Sequence, residues 1–571
     1  MRVLNPDRFR AALAAAIFAL IAGCQSPPET GADLVLTNGP VYTVDDDRSW
    51  AEAVAVTDGE IVFVGAAADA QSLISDNTEV VDLEGKMLLP GFHDAHAHVR
   101  YGGTAMLECS LQGTVTVGDI RAGLADCAAT MDLGEDEWVL GGGWPLSAFP
   151  DGIAPASILD EIFGNRPAYF GDAFGHNSWA NSRAMELAGI TADTPDPIDG
   201  LIERDPETGE PIGTFRESAQ ALFDHVIPEE TDEQRYEGLL NGIAEANSLG
   251  ITAYIEPGTA DHILGVYKRV DDEGKLSARV LAAVSPIGAL PGSVGPELFD
   301  LIERREQYRG TNLDVDAVKI YIDGVIETKT SVMLEPYLDG SNVEPFYEQQ
   351  ELNELYQRLD ELGLQIHTHA IGDGAIRIAL NAYEYTIAEN GPNDNRHLIV
   401  HLQLIDEDDI PRFAELNVAA NYQSYWSRPD VYIDVARDVV GDERVDRFYT
   451  AASVERAGGL LVGGSDWDVS TLNPLEAIEV AVRRQEPDEG PGEVLGVNEE
   501  LSLQTAIDMY TRNASYIMSL EDLTGTIEVG KRADLVVLDR NLFEITDTEI
   551  NEARVLRTIL DGETVYVADT Y

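Results

Sequence analysis

At both ends of the chain, short apolar runs have the length and composition of β-strands. Near the start, Leu34-Val35-Leu36, Val54-Ala55-Val56 and Ile61-Val62-Phe63-Val64 are separated by turn signals at Asn38-Gly39-Pro40 and Asp58-Gly59. The far end repeats the pattern: Asp534-Leu535-Val536-Val537-Leu538 is a strand, and Asp561-Gly562 turns into Val565-Tyr566-Val567. Two separated β segments flanking everything else predict one small β domain built from residues 33–90 and 516–571.

Between these ends, apolar runs of strand length alternate with helical patterns, which is the signature of a βα repeat. Strand candidates are 87–89, 138–140, 168–170, 252–255, 317–321, 364–367, 398–400, 418–420 and 460–462. Helix candidates include 232–249, 350–362, 372–390, 406–416 and 474–485. The count predicts an α/β fold with a (β/α)8 barrel over 91–515. The Gly-, Pro- and Asp-rich stretch of about 140–235 is too long for a βα loop and predicts an insertion or cap over the barrel mouth. No period of 20–50 residues points to a solenoid.

The first residues read as a processing signal. Arg2, Arg8 and Arg10 form a basic start, Ala11 to Ala22 an apolar run, and Ile21-Ala22-Gly23-Cys24 resembles a bacterial lipoprotein cleavage box. That resemblance implies a signal peptide over 1–23, a lipid on Cys24, a tether over 24–32, and a place in the cell envelope facing the periplasm or exterior. A plain secretory signal would leave Cys24 incidental. No later stretch reaches the roughly 18 unbroken apolar residues of a membrane span, so the lipid is the only membrane contact expected. Cys109 and Cys127 form no C-x-x-C pair, and whether they join in a disulfide is left open by the sequence.

Charge adds a constraint on partners. The 571 residues carry 38 basic and 102 acidic side chains, a net charge of −64. Such a surface repels nucleic acid and anionic membranes; the expected partner, a small-molecule substrate, follows from the candidate chemistry below.

The ten histidines carry the candidate chemistry. In Leu-Pro-Gly-Phe-His-Asp-Ala-His-Ala-His, His96 and His98 stand two apart after a short strand, so both imidazoles can face one cation. Lys319 lies within the apolar run Val318-Lys319-Ile320, where an ammonium is costly unless neutralised. His369, His401 and Asp466 each follow a strand candidate, and strand ends converge at the C-terminal face of a barrel, where active sites lie. His367 is a competing candidate for the place of His369.

These strings (PGFHDAHAH, a strand lysine, HAIGD, RHLIVHLQ, GSDW and the terminal GTIEVGKRADLVVLD) resemble the amidohydrolase superfamily, within it the family 3 branch that includes N-substituted formamide deformylases. The resemblance implies a distorted TIM barrel beside a composite β-sandwich, one or two divalent ions, zinc foremost, and hydrolysis of an amide, N-formyl or N-acyl bond by metal-bound hydroxide. It implies that His96, His98 and Asp466 bind one ion, that His369 and His401 bind a second, and that a carboxylated Lys319 bridges them. Asp466 would also carry the proton, and His176 in FGHNSWANS would steady the oxyanion. A homodimer would be in keeping with the family. Val400 departs from the pattern, since an acidic residue commonly precedes the position of His401. Trp144 is a pocket-wall candidate and Asp323-Gly324 a turn matching the family, both with structural roles as the simpler reading. The same centre also suits lactone, carbamate or phosphoester hydrolysis or deamination, and a lipid-tethered binding protein without turnover is a further reading. No G-x-S-x-G elbow, Walker loop or dinucleotide fingerprint stands in a strand–helix context.

The acidic excess fits either a salt-adapted source, where ions screen the self-repulsion, or an acidic periplasmic protein. Salt adaptation predicts that dialysis into low-salt buffer expands the chain and lowers activity, read by hydrodynamic radius and rate. Indifference to salt contradicts it.

Overall fold

The computed structural model describes residues 31–131, 134, 137–172, 177–197, 200–285, 296–487 and 492–569. The signal segment, Cys24 with the tether as far as Thr30, and His176 lie outside the described residues.

Eight parallel strands form the barrel: β1 (Phe92–Asp94), β2 (Ile251–Thr259), β3 (Arg279–Val284), β4 (Leu313–Tyr321), β5 (Gln365–Ala370), β6 (Leu398–His401), β7 (Ala419–Tyr422) and β8 (Leu461–Gly463). Each pairs in parallel with the next. The seam between β8 and β1 is drawn together by the Ala95 N–H, which donates to the Gly463 carbonyl at 2.9 Å. Ala253, Ala283, Ala317 and Ala419 keep the lower interior narrow. Ile255, Leu281, Leu398, Val400 and Val462 fill it, and Ile517 and Met518 pack into the same cluster. Side-chain layers of this kind make the barrel a packed core with a functional mouth.

The helices follow the 3.6-residue pattern closely: Asp232–Ser248, Gln349–Glu361, Asp373–Asn390, Ile410–Glu415 and Pro474–Arg483. The first starts at Thr231, which with Gln234 forms a reciprocal capping box that satisfies amides the helix leaves unpaired.

Both chain ends enter one eight-stranded sheet. Met87–Pro90 pairs antiparallel with Leu535–Leu538, Leu88 opposite Val537, so the two distant segments share a core of Leu36, Val54, Leu88, Leu535 and Ile559. Arg279, at the start of β3, anchors this sheet to the barrel through Asp534 and Asp561, each at 2.7 Å.

Residues 87–89 lie in the end sheet, within the 33–90 segment expected to form it. Two strand expectations need correction. Residues 138–140 and 168–170 lie in or beside strands of a separate six-stranded sheet, formed by Val139–Trp144 and Ala168–Asp172 with four others between Cys109 and Glu217. The excursion from the barrel therefore starts before residue 140. The barrel instead takes Phe92–Asp94 and Arg279–Val284. Trp144 is fully buried in the excursion's core against Phe149 and Trp179, its Nε1 donating to the Phe170 carbonyl at 3.2 Å, so its role among the described residues is packing.

Cys109 and Cys127 are joined in a disulfide, tying the edge strand Cys109–Ser110 to the helix Val117–Thr130 across a separation of 18 residues. A loop of that length predicts that the double Cys→Ser variant loses about 3 kcal/mol from the unfolding of this subdomain. Denatured, unreduced protein should expose neither thiol; two titratable thiols at these positions would contradict the bond.

Candidate metal centre

The residues after β1 and β8 meet at the barrel mouth. His96 Nε2 and His98 Nε2 each stand 3.2 Å from Asp466 Oδ1, and the three groups could share one ion. Ligands held about 2.1 Å from one cation at tetrahedral angles lie roughly 3.4 Å apart, so these donors fit a zinc-sized ion. His96 and Asp466 are buried, while His98 keeps 22% of its side chain exposed and faces the opening.

Two of the candidate residues sit in left-handed backbone. Asp466 has φ 55° and His401 has φ 82°, conformations that non-glycine residues seldom adopt without a local constraint. At His401 the consequence is visible: Val400 already points into the interior cluster, and the left-handed turn brings the next side chain back to the mouth as well. There His401 Nδ1 lies 3.9 Å from Asp466 Oδ2, and the His369 and His401 rings are 4.4 Å apart. His369 Nε2 faces the Gly324 carbonyl at 3.3 Å, which leaves Nδ1 as its lone-pair nitrogen.

Lys319 is buried among these groups, one pleat below Tyr321, which pairs with His369 across the β4–β5 ladder. Burial pushes its ammonium down to about 7, against the pull of Asp466. Its positive charge in turn disfavours protonation of His96 and His369, both lowered to about 3 with burial as the main cause. Burial alone would raise Asp466, but the surrounding imidazoles hold it well below the usual carboxylate range.

Three supporting residues complete the site. Asp94, buried beneath the centre, accepts the His96 N–H at 2.9 Å and the Ser465 N–H at 3.1 Å, clamping the two ligand-bearing turns together. Gln423 Oε1 accepts from His401 Nδ1 at 2.8 Å and so orients the ring. Asp323 accepts the backbone N–H groups of Val332, Ile371 and Gly372 at 3.0–3.2 Å, tying together the loops after β4 and β5, and its Oδ1 lies 3.8 Å from His369 Nε2. Asp94 lies inside the HDAHAH segment, yet its role depends on Ser465 across the seam. Gln423 has no sequence signal beyond its place at a strand end.

His96, His98, Lys319, His369, His401 and Asp466 thus converge at one mouth. His367 also reaches the cluster, with its Nε2 2.6 Å from His96 Nδ1.

Residues 79–566 match the family model described as the amidohydrolase family. Protein LONG AFTER FAR-RED 3 of Arabidopsis thaliana is 31% identical over 94% of this chain and 92% of its own length. N-substituted formamide deformylase of Arthrobacter pascens is 29% identical over 93% of this chain and 97% of its own. Among solved structures, a metal-dependent hydrolase from Pyrococcus furiosus superposes with a TM-score of 0.70 at 24% identity, over 89% of this chain and 99% of that one, and so shares the fold.

The lysine offers a test by pH. Its folded value of about 7 lies below the ordinary 10.5, so between those values the unfolded chain holds more protons and stability rises with pH. In metal-free, CO₂-free buffer, wild type should gain about 2 kcal/mol on Lys319→Met between pH 7 and 9. Parallel stability curves would contradict the assignment.

Proposed function

The chain belongs to the amidohydrolase family, and on that premise we propose that it is a metal-dependent hydrolase cleaving carbon–nitrogen bonds of amide, N-formyl or N-acyl type. The observation that carries this reading is the convergence of His96, His98 and Asp466 at the C-terminal end of the barrel. The relative named N-substituted formamide deformylase supports a C–N bond as the target.

A divalent cation held here, zinc foremost for nitrogen and oxygen donors without thiolate, would polarise the scissile carbonyl and acidify a water. His96 Nε2, His98 Nε2 and Asp466 Oδ1 are the atoms that would hold it, and His369 and His401 would hold a second beside them. Lys319, poised to be uncharged near neutral pH, can add its amine to CO₂, forming an N–C bond and releasing a proton. The product is an anionic oxygen ligand in place of a buried cation.

Asp466 divides its work between two atoms. Oδ1 faces His96 and His98, while Oδ2, nearer His401, takes the proton of the attacking water. It then delivers that proton to the departing nitrogen, which without it would leave as a strongly basic amide anion. His98, the most exposed member, borders the substrate's approach. With Cys24 lipidated, the reaction would take place at the cell envelope.

Metal-loaded protein tested on N-formyl and N-acyl amines beside matched esters should turn over the C–N substrates. Asp466→Asn should lower kcat by on the order of 10³ or more with circular dichroism unchanged. Full kcat in the variant, or turnover of esters alone, would contradict the proposal.

A further inference from the structure

His367 is fully buried on β5, opposite Lys319 in the ladder and one pleat below His369. Its ring lies 4.8 Å from that of His96, with Nε2 2.6 Å from His96 Nδ1. His96 turns its other nitrogen, Nε2, to Asp466. The two ring nitrogens of an imidazole face opposite ways, so His367 stands behind His96 relative to the centre. His367 Nδ1 is buried and has no hydrogen-bond partner among the described residues.

We propose that His367 is a positioning residue for the metal centre: it accepts the Nδ1–H of His96, fixes that ring's tautomer and aim, and is not itself a ligand. The inference rests on the reading of His96 as a metal ligand. A hydrogen bond between two imidazole nitrogens needs one proton between them. When His96 binds a cation through Nε2, its ring proton must sit on Nδ1, which makes His96 the donor and His367 Nε2 the acceptor. His367 then carries its own proton on Nδ1, the atom left without a partner. Ligand histidines usually donate to a carboxylate, a carbonyl or water. A neutral imidazole in that place raises the ligand's basicity less, so a cation held here keeps more of its charge.

The test uses full-length metal-free protein titrated with zinc against a fluorescent chelator. His367→Phe keeps the ring volume and removes the acceptor, and should weaken zinc binding 10–100-fold. His367→Gln, whose amide oxygen reaches the place of Nε2, should stay within about threefold of wild type, on the same reasoning that an acceptor there is what the ligand requires. X-ray absorption at saturating zinc should count the same imidazole ligands in wild type and in the Phe variant. Unchanged affinity in His367→Phe, or one imidazole fewer in its first shell, would overturn the inference. If the Phe variant fails to fold, the Gln variant decides, since a loss as deep as that of His98→Ala would mark a ligand. Wild-type protein that binds no zinc would overturn the proposed centre itself; zinc binding indifferent to the Phe change would overturn this inference alone.

Discussion

The seam between β8 and β1 is the contact on which the site depends. It sets His96 and His98 beside Asp466, residues that enter the barrel from opposite ends of its chain order. The seam is held by short polar contacts: Ala95 N–H to Gly463, Asp466 N–H to the His96 carbonyl at 2.7 Å, and the Asp94 carboxylate bridging His96 and Ser465. Asn421 adds a fourth, donating to the Ala95 carbonyl at 2.9 Å. The backbones approach so closely that a Cβ on Gly464 would lie 2.8 Å from His96 Cβ, which only glycine avoids.

Around that seam the fold tolerates a concentration of buried polar groups that isolated packing would reject. Five histidines, Lys319, Asp94 and Asp466 share one mouth, and burying each costs free energy unless it is paired. The pairing is a network. His401 leans on Gln423, Gln423 donates to Asn421 at 3.3 Å, and Asn421 returns to β1 through Ala95. The Trp426 ring lies nearly parallel to that of His401, 5.6 Å away, and fixes its plane. Such preorganisation holds donors aimed at a common point before any ligand arrives.

Much of this was legible in the sequence because barrel strands repeat one rule. An apolar run buried on both faces followed by a polar residue marks a strand and its functional end, as in β6 with His401 and β8 with Asp466, while in β4 and β5 the candidate residues Lys319 and His369 stand within the strand itself. The misses have physical reasons. Phe92–Asp94 is three residues long and carries no hydrophobic period. Arg279–Val284 opens on a charged residue and holds two alanines, weak in β propensity, among its six residues, and reads as strand only when its neighbours β2 and β4 are in place. Residues 138–140 and 168–170 are true strand segments in a different sheet, and local pattern cannot tell which sheet a strand will join. The roles of Gln423 and His367 arise from cross-strand contacts between residues 22 and 271 positions apart from their partners, which no local motif encodes.

The central claim is that His96, His98 and Asp466 hold one cation at the seam. Anomalous diffraction at the zinc edge from zinc-loaded crystals tests it directly. The account predicts a peak about 2.0–2.2 Å from His96 Nε2, His98 Nε2 and an Asp466 carboxylate oxygen. A map without a peak there, or one in which Asp466 turns away from the two imidazoles, would contradict it.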